Sequence, residues 1–266
     1  MFNFSLISSF DQAVILGALG LIFGSFTSLI TYRINSQEKI VFTRSKCPKC
    51  HKNLTPLNLI PLFSWLFQLG KCTNCKAKIS IRYPLIELSF LLAFVATFYF
   101  QGQQITLPLF FYLAIVGTLI FMCIVDLEHY YIPDISQYVL AILVVLLLIS
   151  QGLKGNEIFA RFIPAFGYLF FGIGLWLFFY YGGGIDAIGI DDLKFFFIAG
   201  LALGFDSFLA FTLFCGILGA VFGSLWQKIK KDDAFPFGPA ICLSFYICLL
   251  FGKKIDVVEY FGNLIF

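Results

Sequence analysis

Long apolar runs decide what this chain can fold into. A run of roughly 18 or more apolar residues is long enough to cross a bilayer as a helix. Eight candidate segments stand at about 12–33, 84–101, 106–126, 133–151, 158–181, 193–205, 207–226 and 236–252. Most reach that length. The sixth is short, and only Gly204, Asp206 and their neighbours separate it from the seventh, so one re-entrant pair over 193–226 is an alternative. Of the 266 residues 60% are hydrophobic and 12% charged, against about 45–50% and 25% in soluble domains. A soluble protein of this size would have too few polar residues to cover its surface. The predicted fold class is therefore an all-α integral membrane protein of about eight transmembrane helices, with a small cytoplasmic loop domain.

Charge sets the orientation. Arg33, Lys39, Arg44, Lys46, Lys49, Lys52, Lys71, Lys76, Lys78 and Arg82 fall in one polar stretch, ten of the 18 basic residues. Cytoplasmic loops carry such an excess. The first apolar run has no basic residue before it and positive charge after it, which places the N-terminus outside. With eight spans, the inner connections also hold Lys228, Lys230 and Lys231, with Lys194 at an inner helix end. The outer segments hold only Lys154, Arg161, Lys253 and Lys254. Fourteen against four supports this topology. Nucleic-acid binding is the competing reading of a basic patch, but this patch lies between two spans and is explained by topology. No nucleic-acid partner is expected.

The same loop carries a metal-binding pattern. Cys47-Pro-Lys-Cys50 is followed, after twenty-one residues, by Cys72-Thr-Asn-Cys75. Two such knuckles at this separation match a four-thiolate zinc site. A cytoplasmic setting argues against structural disulfides, and a loop of this size needs a staple to fold alone. A redox dithiol is the main rival. Four cysteines leave no open coordination position, so catalytic zinc is not expected. His51, beside Cys50, could replace a ligand, although a solvated loop histidine is the simpler reading. Cys123, Cys215, Cys242 and Cys248 lie in apolar runs, where a thiol behaves as a small hydrophobe.

Acids at a membrane edge are costly and point to function. Asp126, Glu128 and Asp134 lie around the end of the third run. Asp186, Asp191 and Asp192 precede the sixth. The topology places all six at the cytoplasmic face. No Ser–His or Cys–His arrangement accompanies them. Two neighbouring carboxylates share a proton, so one can act as base on water while the other donates to a scissile carbonyl. Asp134 follows Pro133 and suits a helix start. Glu128 and Asp186 read as solvated loop acids. Chemistry alone does not separate Asp191 from Asp192.

Together these residues resemble the bacterial type IV prepilin peptidases, membrane aspartyl proteases. The likeness runs through Gly24-Ser-Phe26 with Tyr32-Arg33, the cysteine loop with Asn58-Leu-Ile-Pro-Leu-Phe-Ser-Trp65, and Arg82-Tyr-Pro84-Leu-Ile-Glu87. It continues through Asp126 to Asp134 and ends at Pro236-Phe-Gly-Pro239. The resemblance implies Asp126 as one catalytic acid. Alignment on Lys194 implies Asp192 as the other, with Gly189 as the motif's first glycine and Asp191 where the family has its second. It further implies cleavage of prepilins or type II secretion pseudopilins after a Gly, in the bacterial inner membrane, with the active site facing the cytoplasm. Methylation of the new N-terminus by S-adenosylmethionine is implied by the presence of the cysteine loop. The expected organisation is a first span over 1–34, a zinc-binding domain with Cys47, Cys50, Cys72 and Cys75 over 35–83, and a membrane-embedded peptidase domain over 84–266. Glu87, Arg82 and Pro84 are assigned to joining loop and helix. A zinc-loop scaffold would make the acids dispensable, and a proton-coupled transporter would release no peptide. A presenilin-like or preflagellin enzyme is disfavoured by the zinc loop and the Pro236–Pro239 element.

Overall fold

A computed structural model of the chain describes residues 8–36, 44–183, 188–230 and 235–251. Among them the secondary structure is helical, apart from two isolated β-bridges, Lys46 to Asn53 and Lys71 to Lys78. Asp186, and Lys39, Lys231, Lys253 and Lys254 of the charge count, lie outside the described residues. The chain divides into two compact units, residues 1–105 and 106–266.

The first unit holds α1 (Ser9–Ser36), a 3-10 turn (Pro56–Leu59), α2 (Phe63–Phe67) and α3 (Arg82–Phe100). Helices α1 and α3 pack along each other. In a membrane, association depends on close packing rather than on hydrophobic burial, and glycines supply it here. A Cβ at Gly20 would lie 2.8 Å from the Phe90 carbonyl oxygen, and one at Gly24 would lie 2.7 Å from Glu87 Cα. Leu16, Phe90, Phe94 and Phe98 fill the buried side of the pair. The helix after the cysteine loop thus shares a unit with the first span.

The second unit holds α4 (Leu107–His129), α5 (Asp134–Ser150), α6 (Gly155–Ala160), α7 (Phe162–Gly183), α8 (Ile190–Leu203), α9 (Phe208–Lys230) and α10 (Gly238–Phe251). Helix α8 packs against α5, α7 and α10, while α10 also packs against α4 and α9. Met122, Leu140, Val144, Tyr168, Phe195, Phe211 and Phe245 form the shared core. Gly200 brings α8 against α7, since a Cβ there would meet Ala165 Cα at 2.7 Å. Large apolar side chains such as Phe110, Ile142, Phe170 and Leu225 point outward, as lipid-facing surface requires.

Every expected segment contains a helix. Among the described residues, five stretches are long and apolar enough to cross a membrane: Ser9–Ile34, Arg82–Phe100, Leu107–His129, Gly155–Gly182 and Phe208–Lys230. Helices α5 and α10 are apolar but shorter. The 14 residues of α8 rise only about 21 Å, against a hydrocarbon core of about 30 Å. Two expected boundaries also move. The third segment continues past Asp126 to His129, and the sixth begins at Ile190. Asp126 consequently lies inside the last helical turn rather than at its final residue, and Asp192 inside the first turn rather than just before it. Apolar runs locate the lipid-crossing part of a helix, whereas a helix continues as long as its backbone bonds are made.

Candidate active site and metal centre

Asp126 lies in the last turn of α4. That helix is closed by Tyr130, whose N–H donates to the Asp126 carbonyl oxygen at 2.9 Å from a left-handed backbone (φ 59°). The Asp126 side chain is 5% exposed. Its Oδ2 accepts the backbone N–H of Gly238 at 2.8 Å. Gly238 is the first residue of α10, so its N–H has no partner within its own helix. A Cβ at Gly238 would stand 2.6 Å from that same Oδ2. The Pro-Phe-Gly-Pro element therefore works through backbone, placing a donor where only glycine leaves room for the carboxylate.

Asp192 lies in the first turn of α8 and is 9% exposed. Its Oδ2 accepts the N–H of Gly189 at 3.0 Å, closing the helix start. Among the described residues these are the two buried acids of the second unit, and Asp192 lies in the field of Asp126. Cys242 of α10 is buried in the field of both.

The neighbouring acids are placed differently. Asp191 turns toward the surface, where its Oδ1 is 3.2 Å from Lys194 Nζ. The same ammonium is 2.5 Å from Oδ1 of Asp134, in the first turn of α5. Successive helical residues point about 100° apart, so a single helix start buries Asp192 and leaves Asp191 half-buried, turned toward Lys194. Glu128 is exposed. One contributor had not been singled out from the sequence. Gln137 of α5, 2% exposed, donates from Nε2 to the Asp191 carbonyl oxygen at 3.2 Å. It thereby ties α5 to the turn that carries Asp192, and a polar residue three positions after Asp134 in an apolar run was the available signal.

In the first unit, the Sγ atoms of Cys47, Cys50, Cys72 and Cys75 all lie within 4.8 Å of one another. The two knuckles share one backbone pattern. Cys47 N–H donates to Lys52 O at 3.0 Å and His51 N–H to Cys47 O at 2.9 Å. Cys72 N–H donates to Ala77 O at 2.8 Å and Lys76 N–H to Cys72 O at 3.0 Å. His51 (φ 56°) and Lys76 (φ 58°) occupy the same left-handed position. His51 is thus a turn residue, exposed and outside the sulfur cluster. Lys52 N–H and the Asn74 side chain lower the Cys50 thiol to about 6. Backbone N–H groups of Cys75 and Asn74 lower Cys72. The Ala77 N–H pulls Cys75 down, but partial desolvation and three adjacent sulfurs win and raise it to about 11. A cation is what would let all four sulfurs carry charge together, and a closed four-sulfur cluster fits a structural metal. The other four cysteines are buried or partly buried among apolar side chains.

Glu87 joins loop to helix. Buried in α3, it accepts the Leu62 N–H at the start of α2 at 2.6 Å. Arg82 donates to Thr31 Oγ1 at 2.6 Å and to the Ser28 carbonyl oxygen at 3.4 Å.

The fold and site define a multi-pass helical membrane protein with two buried, glycine-bonded carboxylates and a four-cysteine loop. Residues 18–101 match the bacterial peptidase A24 N-terminal domain, and residues 113–224 match the type IV leader peptidase family. The prepilin leader peptidase/N-methyltransferase of Bacillus subtilis is 34% identical over 251 residues, covering 91% of this chain and 95% of that protein. Those of Legionella pneumophila and Pseudomonas aeruginosa are 30% and 29% identical, covering 91% and 89% of this chain and 92% and 89% of theirs. The chain belongs to the type IV leader peptidase family. No solved structure matches it.

Proposed function

We propose that this protein is a membrane aspartic endopeptidase that removes the leader of prepilins or pseudopilins after a glycine, with Asp126 and Asp192 as its catalytic carboxylates. One observation carries the assignment: among the described residues they are the two buried acids of the peptidase-matching unit, each held by a glycine N–H, and Asp192 lies in the field of Asp126. One carboxylate takes a proton from water as the oxygen attacks the scissile carbonyl carbon. The other, protonated, donates to the carbonyl oxygen. Collapse of the tetrahedral intermediate breaks the C–N bond, and the leaving nitrogen takes up the proton. Glycines at 189 and 238 let backbone approach the carboxylates closely. The half-buried, Lys194-paired position of Asp191 supports Asp192 as the second acid.

The proposed setting is the bacterial inner membrane, with eight spans and the site at the cytoplasmic face, as the charge distribution favours. In this reading 1–34 is the first span, 35–83 a zinc-bound domain and 84–266 the peptidase part. Cys47, Cys50, Cys72 and Cys75 would hold zinc, which would stabilise the loop without entering the reaction. Methylation of the freed amine, with S-adenosylmethionine as donor, follows from the relatives' names and the family resemblance and is assigned to no residue.

Incubation of a model prepilin with the enzyme and S-adenosylmethionine, read by mass spectrometry, tests both activities. The wild type is expected to yield the shortened, methylated product. Asp126→Asn and Asp192→Asn are each expected to lower cleavage by at least about 100-fold, while the protein still inserts. Asn retains an oxygen for the glycine N–H, so the fold should survive. Full cleavage by either variant sinks the dyad.

A further inference from the structure

The loop between α1 and α3 exposes apolar side chains that a loop in water would bury. In and beside α2, Phe67 is 84% exposed, Leu69 82%, Phe63 51% and Leu66 51%; Leu57 of the 3-10 turn is 74% exposed. The two short helices are held together, with Gln68 Nε2 donating to Asn58 Oδ1 at 3.3 Å. Exposed apolar surface of this kind marks a contact site.

The tether to α3 says what covers it. The Leu62 N–H, at the start of α2, is bonded to the Glu87 carboxylate, five residues into α3. That is about 7–8 Å along the helix from its first residue. The 19 residues of α3 rise about 28 Å, so the whole helix is needed to cross a core of about 30 Å. Glu87 thus sits below the membrane surface, and α2 is fixed at the level of the headgroups. The outward side of α3 near it is already lipid-facing, with Ile81, Leu85, Leu88 and Leu92 exposed.

Charge agrees with the tether. From Arg44 to Ile81 there is no Asp or Glu, and all seven Lys and Arg are exposed. Basic residues near the cytoplasmic leaflet gain about 1 kcal/mol each from anionic lipid, and an apolar face flanked by lysines is the composition of an interfacial helix.

The geometry points to α2 and the adjacent 3-10 turn as a monotopic membrane anchor. They lay Leu57, Phe63, Leu66, Phe67 and Leu69 into the headgroup–acyl boundary of the bilayer and hold the cysteine cluster against an anionic surface. This rests on α3 being a span and is independent of the proteolytic reading.

The test places a photoreactive benzophenone side chain at position 67 of the full-length protein in proteoliposomes of phosphatidylethanolamine and phosphatidylglycerol. The same probe at exposed position 51 of the first knuckle, and at lipid-facing position 92 of α3, gives the two reference levels. Mass spectrometry identifies the adducts. Position 67 is expected to yield lipid adduct comparable to position 92, and the adduct is expected to be lost when the probe moves to position 51. Adducts of position 67 with a second copy of the chain or with added prepilin overturn the anchor, as does a yield no higher than that at position 51. Leader cleavage, measured on the same samples, reports separately on the peptidase reading.

Discussion

At Gly238 a single methyl group would stand 2.6 Å from Asp126 Oδ2, closer than a side-chain carbon is normally found. Gly238→Ala is therefore expected to push the carboxylate off its N–H donor and lower kcat by about 100-fold, with little change in insertion or in KM. Kinetics of a fluorogenic leader peptide check this, and wild-type turnover would show that the Gly238 contact does not matter. Asp191 offers the opposite case. It faces Lys194, which keeps Asp134 as a partner. Asp191→Gly is expected to retain cleavage, at a cost of about 0.5–1 kcal/mol in stability for glycine in a helix. An inactive, well-inserted variant would transfer the acid role to Asp191.

Among the elements, the two cysteine knuckles and the α5–α8 junction carry separate jobs. Each knuckle presents two sulfurs from one turn, and the two turns repeat the same hydrogen bonds. Cys72→Ser removes one sulfur from the centre of the cluster. It is expected to lower zinc per protein and to make the loop susceptible to added protease, because metal affinity is folding energy for such a loop. Equal zinc content in mutant and wild type, by elemental analysis, would defeat the metal assignment. At the other junction, Gln137 and the Lys194–Asp134 pair bind α5 to the first turn of α8, so the position of Asp192 depends on two helices.

For the whole molecule, the break between α8 and α9 decides how the two helices traverse the bilayer. Eight alternating spans put the break at Gly204–Ser207 on the outer face, whereas a re-entrant pair leaves it within. Gly204 has φ 71°, Tyr168 donates from its hydroxyl to the Gly204 carbonyl oxygen at 3.0 Å, and Asp206 is exposed. Asp206→Cys in intact spheroplasts is expected to react with a membrane-impermeant maleimide, and protection until the membrane is permeabilised would favour the re-entrant pair. The four membrane cysteines are buried or partly buried, which keeps their background low.

The sequence by itself determined what depends on local composition and spacing. Apolar runs placed a helix at each expected segment, because lipid leaves a backbone little alternative. The spacing of Cys47, Cys50, Cys72 and Cys75 foretold their convergence, because each knuckle is a local turn. Only the tertiary structure decided which side of a helix each acid faces. Asp191 and Asp192 are chemically equivalent neighbours, and packing of α8 against α5 and α10 buries one and leaves the other half-buried beside Lys194. Only tertiary structure, too, brought Gly238 N–H to Asp126 from 112 positions away, since a backbone donor leaves no mark in composition, charge or periodicity.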